Sequence, residues 1–286
     1  MLYLFAASLI WAFSFGLIKG NLAGVDPAFV SFVRMGVSFL LFAPFIRTKA
    51  VSSRLTLQLL FVGAVQYGLM YLFYIRSYQS LEAYQVALFT VFTPLYVTLI
   101  DDAFERKFSP LFLSTAALAV LGAAVISYRE GSLQAILTGF LWVQASNLCF
   151  AFGQIYYKRI LRGQHVAESH IFGIVYLGAV IATGAVAGAV CSSGVFHITM
   201  RQALTLLYLG AIASGLAFFL WNVGARRTDS GALAVFNNLK IPLAVAVSLV
   251  FFGERTDIPR LAIGGGIIVL ALTVNELLIK KKVRAR

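Results

Sequence analysis

Apolar positions fill this chain in long runs. Runs near 20 residues recur from end to end, separated by short polar stretches. About 20 apolar residues in a helix span the hydrocarbon core of a bilayer. The pattern predicts ten spans: 2–19, 27–46, 55–75, 83–100, 110–127, 136–157, 169–190, 202–224, 230–252 and 259–279. Two stretches within it are alike. One runs from Ala87 through Pro94 and an apolar segment to Glu105-Arg106 and Pro110. The other runs from Leu233 through Lys240, Pro242 and an apolar segment to Glu254-Arg255 and Pro259. Proline and glutamate lie 11 residues apart in the first and 12 in the second. The chain reads as one unit written twice, residues 1–128 and then 129–286, the second ending in a basic tail. Five spans is an odd number, so the second unit enters the membrane in the opposite orientation. The predicted fold class is all-α integral membrane, with ten transmembrane helices in two inverted five-helix repeats around a central cavity.

Composition agrees with the pattern. Of 286 residues, 60% are hydrophobic and only 12% charged, which leaves no room for a separate soluble domain. A net charge of +12 would suggest nucleic acid in a soluble chain. Here placement decides. With the amino terminus inside, inner segments carry 15 of the 23 lysines and arginines and outer loops carry 6, with Arg34 and Lys240 within spans. The positive-inside rule puts both termini in the cytoplasm of a multi-pass inner-membrane protein. The basic tail is then an orientation signal and implies no nucleic acid. Cys149 and Cys191 show no disulfide or metal spacing, and no cofactor is implied. The first apolar run is too long for a signal peptide and lacks a basic leader and a cleavage motif.

Certain residues resemble a known family. Leu9 to Phe15, Arg34, and Pro94 with its Glu105-Arg106 turn resemble the first half of an EamA-type member of the drug/metabolite transporter superfamily. Gly231-Ala232-Leu233, Pro242, Gly253-Glu254-Arg255 and Gly264-Gly265 resemble the second half. Ala103-Phe104 stands where the first turn usually has glycine. The resemblance covers nearly the whole chain and implies ten helices around a substrate cavity, with the fifth and tenth packed together away from it. Within the superfamily the chain is most similar to the bacterial aromatic amino-acid exporters.

Several positions could face a solute. Tyr67, Tyr71, Tyr74 and Tyr78 recur at helical spacing on the third span. Tyrosine offers an apolar ring with a polar tip, so the row could stack a planar solute, or belong to an interfacial belt. Gln85, Phe89, Phe92 and Tyr96 share a face of the fourth span. Gln144, Asn147 and Gln154 share a face of the sixth, as ligand contacts or interhelical bonds. Trp142 could be belt or cavity wall. Asn237 and Lys240 share a face of the ninth. A lysine at mid-membrane is costly, so Lys240 is expected to meet a substrate anion or local carbonyls. The substrate-binding set is Tyr71, Tyr74, Tyr78, Gln85, Trp142, Asn147, Asn237 and Lys240. Pro94 and Pro242 are the expected hinges. Arg34 is expected to be structural.

All eleven acids lie in loops or at helix ends. A carboxylate proton relay within the membrane is therefore absent, which favours a gradient-driven facilitator working by alternating access. There is no metal-hydrolase, nucleophile-elbow or paired-acid pattern, so an enzyme is disfavoured. The expectation is export of aromatic and other amino acids by a monomer whose partners are a small solute and the lipid bilayer. Proton-coupled drug or nucleobase export is the alternative, and a passive pore or scramblase a third reading.

Overall fold

The structure is a computed structural model. It describes residues 2–47, 51–106, 133–164, 166–191, 198–226 and 230–254, with a few positions up to Leu270, and side chains apart from Leu133 and residues 225–238. The expected span 110–127 lies outside the described residues, as does most of 259–279. The described residues form helices and turns, with no strand among them. Helix α1 is Leu2–Asn21, α2 Pro27–Phe45, α3 Ser53–Ser77, α4 Ala83–Phe104, α5 Leu133–Ile160, α6 Glu168–Val190, α7 Met200–Arg226 and α8 Ser230–Phe251. Seven of these, α1 to α7, are long and apolar enough to cross a membrane. Eight of the ten expected spans thus correspond to described helices.

Local chemistry sets the helix starts. The Asp26 carboxylate accepts the N–H groups of Ala28 and Phe29 at 2.8 and 3.1 Å, and Pro27 opens α2 where a missing donor costs little. Ser52 caps α3 by accepting from Leu55. Thr199 and Gln202 form a reciprocal capping box at α7.

Besides α2, whose last turn Ala43–Phe45 is 3₁₀, three spans are not uniform α-helix. Helix α4 tightens into a 3₁₀ turn at Thr90–Phe92, just before Pro94. Pro94 has no N–H for the Thr90 carbonyl, and the Thr93 hydroxyl takes that acceptor at 2.7 Å. Helices α3 and α7 each contain a π segment, Gly63–Leu69 and Leu209–Leu216. Both segments read Gly-Ala, three variable residues, then Gly-Leu, at 63–69 and 210–216. The shared pattern adopts the shared conformation. A π segment carries one residue beyond the α-helical repeat and releases carbonyls from the ladder. In α7 these are taken by side chains of other helices. Ser38 donates to Gly210 O at 2.8 Å, Trp11 Nε1 to Ala213 O at 2.9 Å, and the Tyr176 hydroxyl to Ser214 O.

Packing between helices has a matched character. Helix α1 packs on α7 and α8, and α5 packs on α3 and α4. Helix α2 packs on α7, and α6 on α3. Two further pairs, α2 with α6 and α4 with α8, join equivalent members. Exchanging the first four helices for the last four carries these eight pairings into one another; α1 also meets α4, and α2 meets α3. Glycine permits the closest approaches. A methyl group on Gly63 would collide with the Val175 carbonyl of α6, and one on Gly178 with the Leu60 carbonyl of α3.

Candidate functional site

A cavity lies between the helices. Its described lining comes from seven helices: Trp11, Ser14 and Phe15 of α1, Arg34 of α2, Met70, Tyr71 and Tyr74 of α3, Thr90 and Thr93 of α4, Ser146, Asn147 and Phe150 of α5, Phe218 of α7 and Lys240 of α8. The aromatic members touch one another. Phe218 lies 4.8 Å from Trp11, 6.2 Å from Tyr71 and 5.9 Å from Phe150, centroid to centroid. Such pairs make an apolar sheath with polar edges at the indole and phenol tips.

Two cations stand in this sheath. Arg34 is 1% exposed and Lys240 is 8% exposed. Lys240 Nζ sits 5.4 Å from the Trp11 ring centroid, within cation–π reach. Arg34 is held more tightly. Its Nε and Nη2 donate to Ser214 Oγ at 3.2 and 2.9 Å, and Nη2 also donates to the Tyr71 hydroxyl at 3.1 Å. The Tyr71 ring lies beneath the guanidinium, 4.3 Å from Cζ to centroid. The described lining includes no aspartate or glutamate.

The polar wall opposite is internally satisfied. Asn147 Nδ2 donates to Phe89 O at 2.9 Å and to Gln144 Oε1 at 3.2 Å, while its Oδ1 accepts from Thr93 at 3.2 Å. Gln144 also reaches Phe89 O, at 3.4 Å. These amides bind α5 to the interrupted turn of α4, the interhelical role that amides serve in lipid.

Of the expected binding residues, Tyr71, Tyr74, Asn147 and Lys240 line this cavity. Tyr78 does not. It bonds Tyr74, hydroxyl to hydroxyl at 2.7 Å, and faces a second, wider hollow lined by Lys19, Asp26 and Gln202. Gln85 is spent on capping: its Oε1 accepts the Glu82 N–H at 3.0 Å at the start of α4. Trp142 stacks on Phe73 at 5.5 Å, is only half-buried and is not among the lining residues. The Asn237 side chain lies outside the described residues. Tyr67 accepts from Asn222 at 3.3 Å beside the cavity. Trp221 is buried, 5.1 Å from Trp11 ring to ring.

Sequence reasoning expected a structural role for Arg34 and left it out of the binding set, whereas it lines the cavity, and it did not single out Ser214, Ser146 or Phe218. The signal for Ser214 was available in the repeated Gly-Ala-x-x-x-Gly-Leu pattern, which flags a non-standard segment beside an arginine-bearing helix. Phe218 carries no comparable signal, because its direction depends on the helix phase after the π segment.

At the end where α3 finishes and α4 begins, charged groups join several elements. Lys19 Nζ donates to the carbonyls of Tyr78 and Leu81 at 3.2 and 2.8 Å and pairs with Glu82 at 3.4 Å. The Glu254 carboxylate, just past α8, accepts the N–H groups of Ala83 and Tyr84 at 2.8 and 3.0 Å. Burial pushes its carboxyl above the usual range, against the pull of those two N–H groups.

The comparisons with known proteins agree on family. The profile of the EamA-like transporter family matches residues 1–128 and 137–276. A protein of Pseudomonas aeruginosa named a probable biotin transporter is 38% identical over 97% of this chain and 98% of its own length. The biotin transporter of Escherichia coli K12 is 35% identical over 96% of this chain and 93% of its own. A probable amino-acid metabolite efflux pump of Salmonella typhimurium is 26% identical over 60% of each chain. A solved crystal structure superposes with a TM-score of 0.68 over 98% of this chain and 97% of its own, at 19% identity, a likeness of fold alone. A helical bundle with seven membrane-length helices, a central cavity and family matches along most of its length belongs to the EamA-like transporter family.

Proposed function

We propose that the protein carries a small, flat, carboxylate-bearing solute across the bacterial inner membrane, with biotin the first candidate. The observation that carries this is the pair of buried cations, Arg34 and Lys240, in an aromatic cavity whose described lining has no acid. Biotin presents a compact ring system and one carboxylate on an apolar chain. The sheath of Trp11, Phe15, Tyr71, Tyr74, Phe150 and Phe218 suits the apolar part, and the cations suit the carboxylate. Relatives 34–38% identical over nearly the whole chain bear the name of biotin transporters.

The second reading is amino-acid export, expected from the sequence and echoed by the name of a more distant relative. An amino acid brings an ammonium as well as a carboxylate. In the described cavity that ammonium would face two like charges, with the Asn147 carbonyl already taken by Thr93. Like charges in a low-dielectric site repel strongly, so a monoanion fits better than a zwitterion.

The architecture we infer is two inverted five-helix repeats that open the cavity alternately to either side. The exchangeable helix pairings and the two matching π segments support it. Flux should follow the solute gradient, since no carboxylate lies inside a described span except Glu168 at the first residue of α6 and Asp101 and Asp102 near the end of α4. The test is uptake into proteoliposomes with labelled biotin and labelled aromatic amino acids, without a pH gradient. Saturable biotin flux with weak amino-acid flux is expected. Saturable aromatic amino-acid flux with none for biotin would restore the second reading.

A further inference from the structure

Arg34 makes an incomplete set of hydrogen bonds. Its Nε and Nη2 are committed to Ser214 and Tyr71. Its Nη1 is buried and has no hydrogen-bond partner among the described residues. The side chain is 1% exposed and lines the central cavity. A guanidinium has five N–H donors in a fixed plane, so fixing one edge fixes where the remaining donors stand.

The clamp on that edge is well built. Ser214 lies in the π segment of α7, and its hydroxyl donates to Tyr71 at 2.9 Å while accepting from Arg34. The Tyr71 hydroxyl accepts from both, and its ring lies under the guanidinium. Tyr176 in turn donates to the Ser214 carbonyl, which fixes the backbone of the segment. Arginine is thus positioned by residues from three other helices. A purely structural arginine would have its donors consumed by such an arrangement. This one leaves Nη1 without a hydrogen-bond partner among the described residues, in a side chain that lines an aromatic cavity, where an unpaired charged donor is costly.

We propose that Arg34 Nη1 is the anchor for the carboxylate of the transported solute, and that Ser214 and Tyr71 are positioning residues that present it. This rests on the reading of the cavity as the binding site for a carboxylate-bearing solute. The bond would be charge-assisted and directional, so it discriminates a carboxylate from its amide. Lys240, over Trp11, adds a second positive charge to the same lining.

The experiment measures equilibrium binding of labelled biotin to purified wild-type protein, with competition by biotin and by biotinamide. The ratio of the two affinities is the readout, since a merely structural role would move both alike. Wild type should prefer biotin by about tenfold or more, as expected for a charged over a neutral bond. Folded Arg34→Lys keeps the charge and loses the fork, and its ratio should fall to about threefold or less. Ser214→Ala and Tyr71→Phe should lower the ratio in the same direction, by about threefold. If Arg34→Lys does not fold, the two clamp variants decide. An unchanged ratio in folded Arg34→Lys, or in both clamp variants, overturns the proposal. If wild type does not bind biotin, the thermal shift with pentanoate and indole-3-acetate against their amides separates the two ideas. A carboxylate preference lost in the variants would reject biotin and keep the anchor; no carboxylate preference would overturn both.

Discussion

Glu254 stands 171 positions after Ala83, and its carboxylate accepts the Ala83 N–H at 2.8 Å while its second oxygen takes Tyr84. A residue three positions past the end of α8 therefore caps the first turn of α4. Capping by a carboxylate satisfies orphan donors and suits the positive end of the helix dipole. The contact ties the two halves of the chain together at one end of the bundle, next to Lys19 and Glu82.

The first prediction follows from the Glu254 carboxyl being raised, with burial the largest cause and Glu82 adding to it, against Ala83, Tyr84 and Lys19. The folded protein binds this proton more tightly than the unfolded chain, whose glutamate titrates near pH 4.3. The group's contribution is therefore fully present below that value and is lost as pH rises through the raised folded value. Thermal unfolding in detergent should show wild type losing stability relative to Glu254→Gln as pH increases across this window. A wild type that gains stability relative to Glu254→Gln as pH rises would contradict the assignment.

The second prediction concerns close packing. Gly63 opens the π segment of α3 against the Val175 carbonyl of α6. Gly63→Ala puts a methyl group onto backbone that cannot rotate away. It should destabilise by about 1–3 kcal/mol, the range for overpacking, whereas Gly36→Ala, with open space around it, should not. Unfolding midpoints of the two variants compare directly, and equal midpoints would show that α3 and α6 separate easily.

Membrane thickness explains why the spans were legible in the sequence. It fixes how long an apolar run must be, and α1 to α8 fall close to the expected positions. It does not fix how each helix is turned. Trp142 and Asn147 share α5, yet Trp142 packs on Phe73 and Asn147 lines the cavity. The tyrosine row was read as one face, but the π segment shifts the phase at Tyr67, and Tyr78 lies beyond the cavity. The partners of Arg34, Ser214 and Tyr71, are distant in sequence and meet it only in the folded bundle, so its place in the cavity lining was not legible.

A third prediction tests orientation. The excess of lysine and arginine in alternate loops predicts that both termini lie in the cytoplasm. Reporter fusions after residues 128–133 should read outside, and fusions at the carboxyl terminus inside. The opposite readings would reverse every assignment of sides.

A fourth tests the hinges. Pro94 follows a 3₁₀ turn, whereas Pro242 lies inside a continuous α8. Alanine at either position restores a backbone donor and stiffens the helix. Transport by Pro94→Ala and Pro242→Ala should slow several-fold with folding retained, and more for Pro94, where the helix is already interrupted. Wild-type rates in both would show that the prolines serve packing alone.

The last prediction separates the two cations. Arg34 is clamped by a serine and a tyrosine, and Lys240 reaches its place over Trp11 from α8. An ammonium on a flexible stem supplies charge with little directional demand. Lys240→Met keeps the length and removes the charge. A hydrogen bond or close contact to a charged group contributes about 1.5–3 kcal/mol, or roughly 10- to 150-fold in affinity. Folded Lys240→Met should therefore bind a carboxylate solute at least about tenfold more weakly, while affinity for an uncharged analogue such as biotinamide stays near the wild-type value. If Lys240 instead only secures α8 beside Pro242, the variant should unfold earlier and lose both solutes equally. Measuring unfolding and both affinities on one preparation tells these apart. The comparison also bears on zwitterions: removing one of two cations should improve tolerance of an ammonium, so an amino acid that wild type rejects should bind Lys240→Met better than before.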